Sequence, residues 1–184
     1  ISVTTNTATV PVLSDIIASD STEVSITVKS TIVDAGLGEV TEYGFCYSSE
    51  SKNPTTDHLV VENIEGNSKD FSALIDGLKP ETTYYIRAYA INEKGTGYSE
   101  TFEYTTIAPT EPGIYSLEDL GAFHDAIILG SDLSQWVNES GVINLYVDID
   151  ATLPNWTPIY QLSPDYVFDG NGHTITLKKT AVAE

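Results

Sequence analysis

The first hundred residues alternate apolar and polar side chains in short runs separated by turn-forming segments. One run places apolar side chains at alternate positions, namely Val24, Ile26, Val28 and Ile32. A period of two predicts a strand with one buried face and one solvated face. About seven such runs, spaced about 8–12 residues apart, predict a two-sheet β-sandwich of about 100 residues.

A longer run predicts a central strand with two chemically different faces. One face would carry Tyr84, Ile86, Ala88 and Ala90, and the other Tyr85, Arg87, Tyr89 and Ile91. A hairpin signal over residues 92–97 then leads into a last strand, predicted over residues 98–106.

The segment before this strand resembles a known family. Leu78-x-Pro80-x-Thr82-x-Tyr84 is similar to the entry to strand F of fibronectin type III domains, in which the tyrosine hydroxyl bonds back to nearby backbone. The resemblance covers about residues 8–106 and implies an immunoglobulin-like β-sandwich, with Pro80 and Tyr84 as structural residues. The run Gly44-Phe-Cys-Tyr-Ser48 looks like a variant common in surface proteins of Gram-negative anaerobes. The chain lacks the family's usual early Trp and an Arg-Gly-Asp loop, so integrin-type adhesion is not implied.

Residues 108–113, with two prolines and a glycine, predict a linker. A helix is predicted to follow, begun by a capping residue at Ser116 and ended by Gly130. Its apolar face would hold Leu117, Leu120, Phe123, Ile127 and Ile128. Ile143, Leu145, Val147 and Ile149 then alternate with polar residues and predict a further strand.

This second half resembles the cap and first coil of right-handed parallel β-helix proteins of the pectate-lyase-like kind. The resemblance rests on the helix, the strand, a turn at Trp156 and the segment Phe168-Asp-Gly170-Asn-Gly172. It implies a small α+β unit over residues 114–184, after a sandwich over residues 1–107. Coils need stacked neighbours to seal their core, so we expect the natural protein to continue past the last residue. Because the chain starts without Met, we also expect it to be cut from a longer exported protein.

The net charge of the chain limits the classes of partner that it could bind. The net charge is −19, and both halves are acidic. Nucleic acid and anionic membranes would be repelled, and no apolar run is long enough for membrane insertion. A well-solvated secreted surface is one interpretation of this acidity, and cation binding is another. The single cysteine, Cys46, excludes an intrachain disulfide.

The tyrosines of the central strand are candidate ligand contacts. Flat amphipathic rings on a rigid sheet suit sugar stacking and protein contacts. Tyr85, Tyr89 and Tyr104 are predicted to share one open face, with Tyr98 or Phe102 as further members. The alternative is that cross-strand aromatic pairing stabilises the sheet, or that a second domain covers the rings.

A second candidate site is a set of side chains whose oxygen atoms could bind a metal ion. Asp148 and Asp150 would point the same way from one strand and, with Asp169 and Asn171, could form a calcium cage. The alternative is a solvated strand face and a tight turn whose glycines, Gly170 and Gly172, accept positive φ.

The residues predict no catalytic site. Cys46 lies mid-strand as a small hydrophobe, and the histidines are scattered. Paired carboxylates can indicate a glycosidase, but a β-helix cleft extends along many coils. No cofactor is predicted apart from the calcium.

We therefore expect a non-catalytic binding or spacer module of a larger bacterial cell-surface protein, secreted or lipid-anchored. Its partner would be a polysaccharide or a host or cell-surface protein. Two alternatives stay open: the N-terminal part of a polysaccharide lyase or glycoside hydrolase with catalytic coils beyond Glu184, and a carbohydrate-binding module that uses the sheet-face tyrosines.

Overall fold

The computed structural model describes residues 7–62, 64–67, 69–151 and 165–177. Within them it contains fourteen strands and one α-helix. Trp156, which carries part of the β-helix resemblance, lies outside the described residues. In the described part of the chain, no helix has both the length and the apolar character needed to cross a membrane.

The chain divides into two compact units, Ile1–Ile107 and Ala108–Glu184. The strands of the first unit are β1 (Val12–Leu13), β2 (Ile17–Ser19), β3 (Ile26–Asp34), β4 (Glu42–Ser48), β5 (Leu59–Val60), β6 (Glu65–Gly66), β7 (Asp70–Ile75), β8 (Thr83–Asn92), β9 (Gly95–Tyr98) and β10 (Phe102–Thr105). One sheet has the order β1-β3-β7-β6, with β2 also paired to β3. The other has the order β10-β8-β4-β5, with β9 also paired to β8. All pairs in both sheets are antiparallel.

The core of the first unit lies between the two sheets, so the predicted sandwich is confirmed. In β8 the alternation turns a buried set, Tyr84, Ile86, Ala88 and Ala90, towards the core. From the facing sheet β3 contributes Ile26 and Val28, and β7 contributes Phe71. The Phe71 ring packs on Phe45 of β4 at a centroid distance of 5.0 Å. Burial of such side chains supplies most of the favourable free energy of a fold of this size.

The predicted strand over residues 98–106 is interrupted in the structure. β9 ends at Tyr98 and β10 begins at Phe102. Between them the Ser99 hydroxyl accepts the N–H of Ala88 at 3.0 Å, and the Ser99 carbonyl accepts Nε of Arg87 at 2.9 Å. A side chain therefore takes a position in the ladder that a backbone carbonyl would otherwise fill.

The turn before β8 contains the expected tyrosine corner. The buried hydroxyl of Tyr84 accepts the N–H of Lys79 at 3.0 Å. Pro80 lies in the same turn, and its carbonyl accepts the hydroxyl of Thr82 at 2.9 Å. The Thr106 hydroxyl, after β10, donates to the Lys79 carbonyl at 2.6 Å. These bonds fix the angle at which the chain enters the central strand.

The second unit contains α1 (Leu117–Leu129), β11 (Val142–Asn144), β12 (Ile149–Ala151), β13 (Val167–Asp169) and β14 (Ile175–Leu177). The Ser116 hydroxyl caps α1 by accepting the N–H of Asp119 at 3.0 Å, and Gly130 ends it in the left-handed region at φ 65°. β11 pairs with β13 and β12 pairs with β14, both in parallel.

Two details of the second unit differ from the sequence predictions. The buried face of α1 is formed by Leu120, Phe123 and Ala126, whereas Ile128 is 68% exposed. Ile128 follows Leu120 by eight residues, which at 3.6 residues per turn rotates it about 80° from that position. The single strand predicted over residues 143–149 is two separate strands, although its four alternating apolar side chains are all buried.

Candidate functional site

The outward face of the second sheet is built around β8. Register pairs β8 with β4 on one side, where Arg87 lies opposite Cys46, and with β9 on the other, where Tyr89 lies opposite Tyr98. Residues directly opposite each other share a face. This side of the sheet therefore carries Tyr85, Arg87, Tyr89 and Tyr98, away from the core.

Tyr85 is the more accessible of the two β8 tyrosines on this side. Its ring is half-buried, and Nζ of the exposed Lys52 lies 5.8 Å from the ring centroid. An ammonium at this distance from a ring face is attracted by the negative charge of the π system. One side chain from a loop and one from a strand are thus placed next to each other in solvent.

Arg87 and Tyr98 form a second, more rigid pair. The Arg87 guanidinium carbon lies 4.5 Å from the Tyr98 ring centroid. Nε of Arg87 donates to the Ser99 carbonyl, and the Tyr98 hydroxyl accepts the N–H of Thr56 at 3.2 Å. Both partners are held by backbone groups, so the pair needs little ordering before it meets a ligand. We call Lys52, Tyr85, Arg87 and Tyr98 the ring–cation face.

The prediction that Tyr89 is open to a ligand is wrong. Its side chain is 3% exposed, and its hydroxyl donates to Oε1 of Glu42 at 2.9 Å. The ring lies across Gly44, the residue opposite it in β4, where an added Cβ would come within 3.2 Å of the ring. Burial, and then the bond to Glu42, raises the pKa of Tyr89. Tyr89 therefore packs within its own sheet, against Gly44 and Glu42.

The prediction that Tyr104 joins Tyr85 is also wrong. Glu103 lies opposite Tyr85 in the β8–β10 pair, while Tyr104 lies opposite Tyr84 and Phe102 opposite Ile86. Tyr104 and Phe102 therefore pack against the core side of the sheet. The Tyr104 hydroxyl donates to the Thr22 carbonyl at 3.4 Å. A shift of one residue in the strand register moves a side chain to the other face of the sheet.

Cys46 lies beneath the ring–cation face and is fully buried. Burial raises the pKa of its thiol to about 11, an effect that the nearby Arg87 partly opposes. The thiol donates to the Arg87 carbonyl at 3.6 Å. A neutral, covered thiol is a poor nucleophile, which agrees with the predicted role as a buried small hydrophobe.

The four predicted calcium ligands are not gathered into a cage. Oδ1 of Asp148 accepts the N–H of Thr174 at 2.7 Å and its hydroxyl at 3.2 Å, while Oδ1 of Asp169 accepts the N–H of Asn171 at 2.9 Å. Asp150 lies in β12. Within the described residues, no group of three or more His, Cys, Asp or Glu side chains is placed to hold a metal ion.

The segment that carries Asp169 and Asn171 forms a tight turn. Asn171 and Gly172 both have positive φ, 47° and 84°, and the N–H of His173 donates to the Gly170 carbonyl at 2.7 Å. Glycine tolerates this backbone at no steric cost, and asparagine tolerates it better than most residues. Gly170, predicted to have a positive φ as well, does not have one. The carboxylate of Asp169 is used to close this turn.

Residues 11–107 match the family model of the fibronectin type III domain. The chain belongs to this family. Fibronectin type III domains are general modules for binding or spacing, are typically non-catalytic and are often extracellular. No curated protein matches the chain.

Solved structures of fibronectin type III domains are similar to the chain. The sixth such domain of human fibronectin type III domain containing protein 3 is 19% identical, with a TM-score of 0.46 over 59% of this chain and 96% of that one. The sensor domain of the anti-sigma factor RsgI4 from Pseudobacteroides cellulosolvens is 22% identical, with a TM-score of 0.41 over 56% and 100%. The domain of human collagen XX is 23% identical, with a TM-score of 0.38 over 57% and 100%.

Sequence reasoning missed Lys52 as a member of the site. Lys52 belongs to a loop between β4 and β5, and nothing in a strand pattern indicates where a loop side chain will reach. The placement of Tyr98 was accessible from the sequence, because a two-residue hairpin turn at Glu93 and Lys94 sets Tyr98 opposite Tyr89.

Proposed function

We propose that the chain is a binding and spacer module of a cell-surface protein, and that the ring–cation face of its fibronectin type III domain contacts polysaccharide. The observation that carries the proposal is the presence of two ring–cation pairs on one side of one sheet, Lys52 with Tyr85 and Arg87 with Tyr98.

The chemistry of the face suits a sugar. A tyrosine ring offers a flat apolar surface for the C–H groups of a pyranose, and the neighbouring ammonium and guanidinium can donate hydrogen bonds to its hydroxyl groups. Tyr85, Arg87 and Tyr98 lie on paired strands, and the Arg87–Tyr98 pair is held by hydrogen bonds to backbone groups. The Arg87–Tyr98 pair would therefore lose little freedom when a ligand binds.

An extracellular setting is part of the same proposal. It is supported by the family, whose domains are often extracellular, and by a net charge of −19 that keeps a protein well solvated. A secreted or lipid-anchored surface protein of a bacterium fits these properties, and the resemblance of the Gly44–Ser48 run adds to them.

We propose that the second unit is the helix-capped start of a parallel β-helix. Residues 142–144 pair in parallel with residues 167–169, and residues 149–151 with residues 175–177. Both pairs join segments about 25 residues apart, as successive coils of a solenoid do. Ile114 also forms a parallel bridge with Leu145.

The test is a glycan array followed by calorimetry on the hits, with the wild type, Tyr85→Ala and Tyr85→Phe. Loss of the ring should weaken binding about twofold to twelvefold, since an aromatic contact is worth about 0.5–1.5 kcal/mol. Tyr85→Phe keeps the ring and should bind within about twofold of the wild type. Absence of any glycan ligand, or equal affinity of Tyr85→Ala and wild type, would rule out the ring–cation face as a sugar site.

A further inference from the structure

A groove opens between the edge strand β5 and the end of β7, with a volume of about 220 Å³. Its lining residues come from both sheets of the sandwich: Tyr47, Val60, Val61, Glu62, Leu74, Ile75 and Asp76. None of them belongs to the ring–cation face, so the groove is a separate candidate site.

One wall of the groove is a sheet edge with backbone groups available for pairing. β5 is the last strand of the order β10-β8-β4-β5. The N–H of Val61 donates to the Phe45 carbonyl at 3.0 Å, and hydrogen-bonded and non-hydrogen-bonded residues alternate along an antiparallel pair. Val60 therefore directs its N–H and carbonyl away from β4, towards the open edge. An extended chain laid along β5 would find these groups in strand register.

Exposed apolar side chains lie among the polar groups of the groove and next to it. Leu59 is 58% exposed, Val60 38% and Leu74 52%. Two of these side chains line the groove itself. An added strand would cover apolar side chains that lie beside an unpaired strand edge. Such edges are sites of strand pairing with other chains.

The polar groups of the groove favour a positively charged ligand. Glu62 and Asp76 supply two carboxylates in the lining. Burial raises the pKa of Tyr47, and the neighbouring Tyr84 and Asp76 raise it further, so the phenol stays neutral. The whole chain adds a net charge of −19. A Lys or Arg side chain in the groove would be attracted by these carboxylates, whereas an acidic segment would be repelled.

We propose that this groove binds an extended basic segment of a partner protein, which pairs with β5 as an additional strand. The segment would alternate β-branched apolar residues with Lys or Arg. Its apolar side chains would cover Val60 and Leu74, and its basic side chains would approach Glu62 and Asp76.

The test uses the full chain and two blocked synthetic heptapeptides, Thr-Val-Lys-Val-Arg-Val-Thr and the same sequence with Glu in place of Lys and Arg. Amide chemical shifts and calorimetry measure the binding. The basic peptide should shift the amides of residues 60–62 and 74–76, and the acidic peptide should bind at least about tenfold more weakly.

Two variants and one control sharpen the result. Glu62→Gln combined with Asp76→Asn should weaken the basic peptide at least about tenfold, while Glu103→Gln on the other edge strand β10 should leave its affinity unchanged. Val60→Pro removes the outward N–H and should therefore weaken binding by strand addition. The variant should still fold, because proline is tolerated on edge strands. The dispersion of the amide spectrum confirms that each variant is folded.

Several results would overturn the proposal. They are the absence of binding of the basic peptide at millimolar concentration, equal binding of the two peptides, and shifts confined to residues outside the groove. Groove amides that shift with protein concentration alone would show that a second copy of the chain is the occupant, which also overturns it.

Discussion

The tyrosine corner gives a quantitative test of the sandwich, because Tyr84→Phe removes one oxygen and nothing else. The Tyr84 hydroxyl accepts the Lys79 N–H at 3.0 Å, and the side chain is 7% exposed. Loss of a satisfied, part-buried hydrogen bond costs about 1 kcal/mol, and more when the remaining N–H is left without a partner. We therefore expect a loss of about 1–2 kcal/mol in the free energy of unfolding, or about 4–16 °C in the melting temperature of a domain of this size.

Tyr104→Phe is the matched control, because it removes the same atom from the same sheet. Its hydroxyl bond to the Thr22 carbonyl is 3.4 Å long and exposed, so its loss should cost less than about 0.5 kcal/mol. Urea unfolding followed by far-ultraviolet circular dichroism measures both, with an unchanged slope expected. Both tryptophans, Trp136 and Trp156, belong to residues 108–184, so their fluorescence reports the second unit separately. A cost for Tyr84→Phe below about 0.3 kcal/mol, or equal to that of the control, would show that the bond from Tyr84 to Lys79 does not stabilise the sandwich.

Three further predictions concern other parts of the chain. Gly44→Ala would set a methyl group 3.2 Å from the tyrosine ring opposite it and should destabilise the sandwich by about 1–3 kcal/mol. Gly121→Ala, in an open helical position, should instead stabilise the second unit by about 0.5–1 kcal/mol. Equal effects of the two substitutions in urea unfolding would contradict both predictions. The Cys46 thiol, fully buried and with its pKa raised to about 11, should resist a thiol reagent at neutral pH until urea unfolds the chain, and rapid labelling of the folded protein would disprove this. The N–H and hydroxyl of Thr174 lower the pKa of Asp148, so its carboxylate stabilises the second unit above the unfolded-state pKa of about 3.9, and this contribution is lost as the pH falls through the lower folded-state value. Asp148→Asn should therefore flatten the acid limb of the tryptophan-monitored stability curve, and an unchanged limb would argue against it.

The strand pattern was enough to predict which side of β8 is buried. The alternation of Ile86 and Ala88 with Tyr85 and Arg87 has a period of two, and the structure buries the first pair in the core. The corner at Tyr84 was likewise predictable, because its position three residues after the turn is set by local sequence. Local periodicity and local turns are properties that a short segment determines by itself.

The candidate site was harder to predict, because it depends on pairing between segments. Tyr104 was expected beside Tyr85, but the β8–β10 register places Glu103 there. Tyr89 was expected to be open, but the glycine opposite it in β4 allows the ring to lie flat and become buried. Lys52 reaches Tyr85 from a loop. Register and loop geometry are fixed by contacts between distant residues, which a single strand pattern does not contain.

Mapping a bound oligosaccharide on the fibronectin type III domain tests the proposed function most directly. The measurement is the change in amide chemical shifts when the best glycan-array hit is titrated into the isotope-labelled chain. We expect shifts centred on Tyr85, Arg87, Tyr98 and Lys52, with the buried Tyr89 responding only as a neighbour. Shifts that cluster on the first sheet or on the second unit, with none at Tyr85, would contradict it.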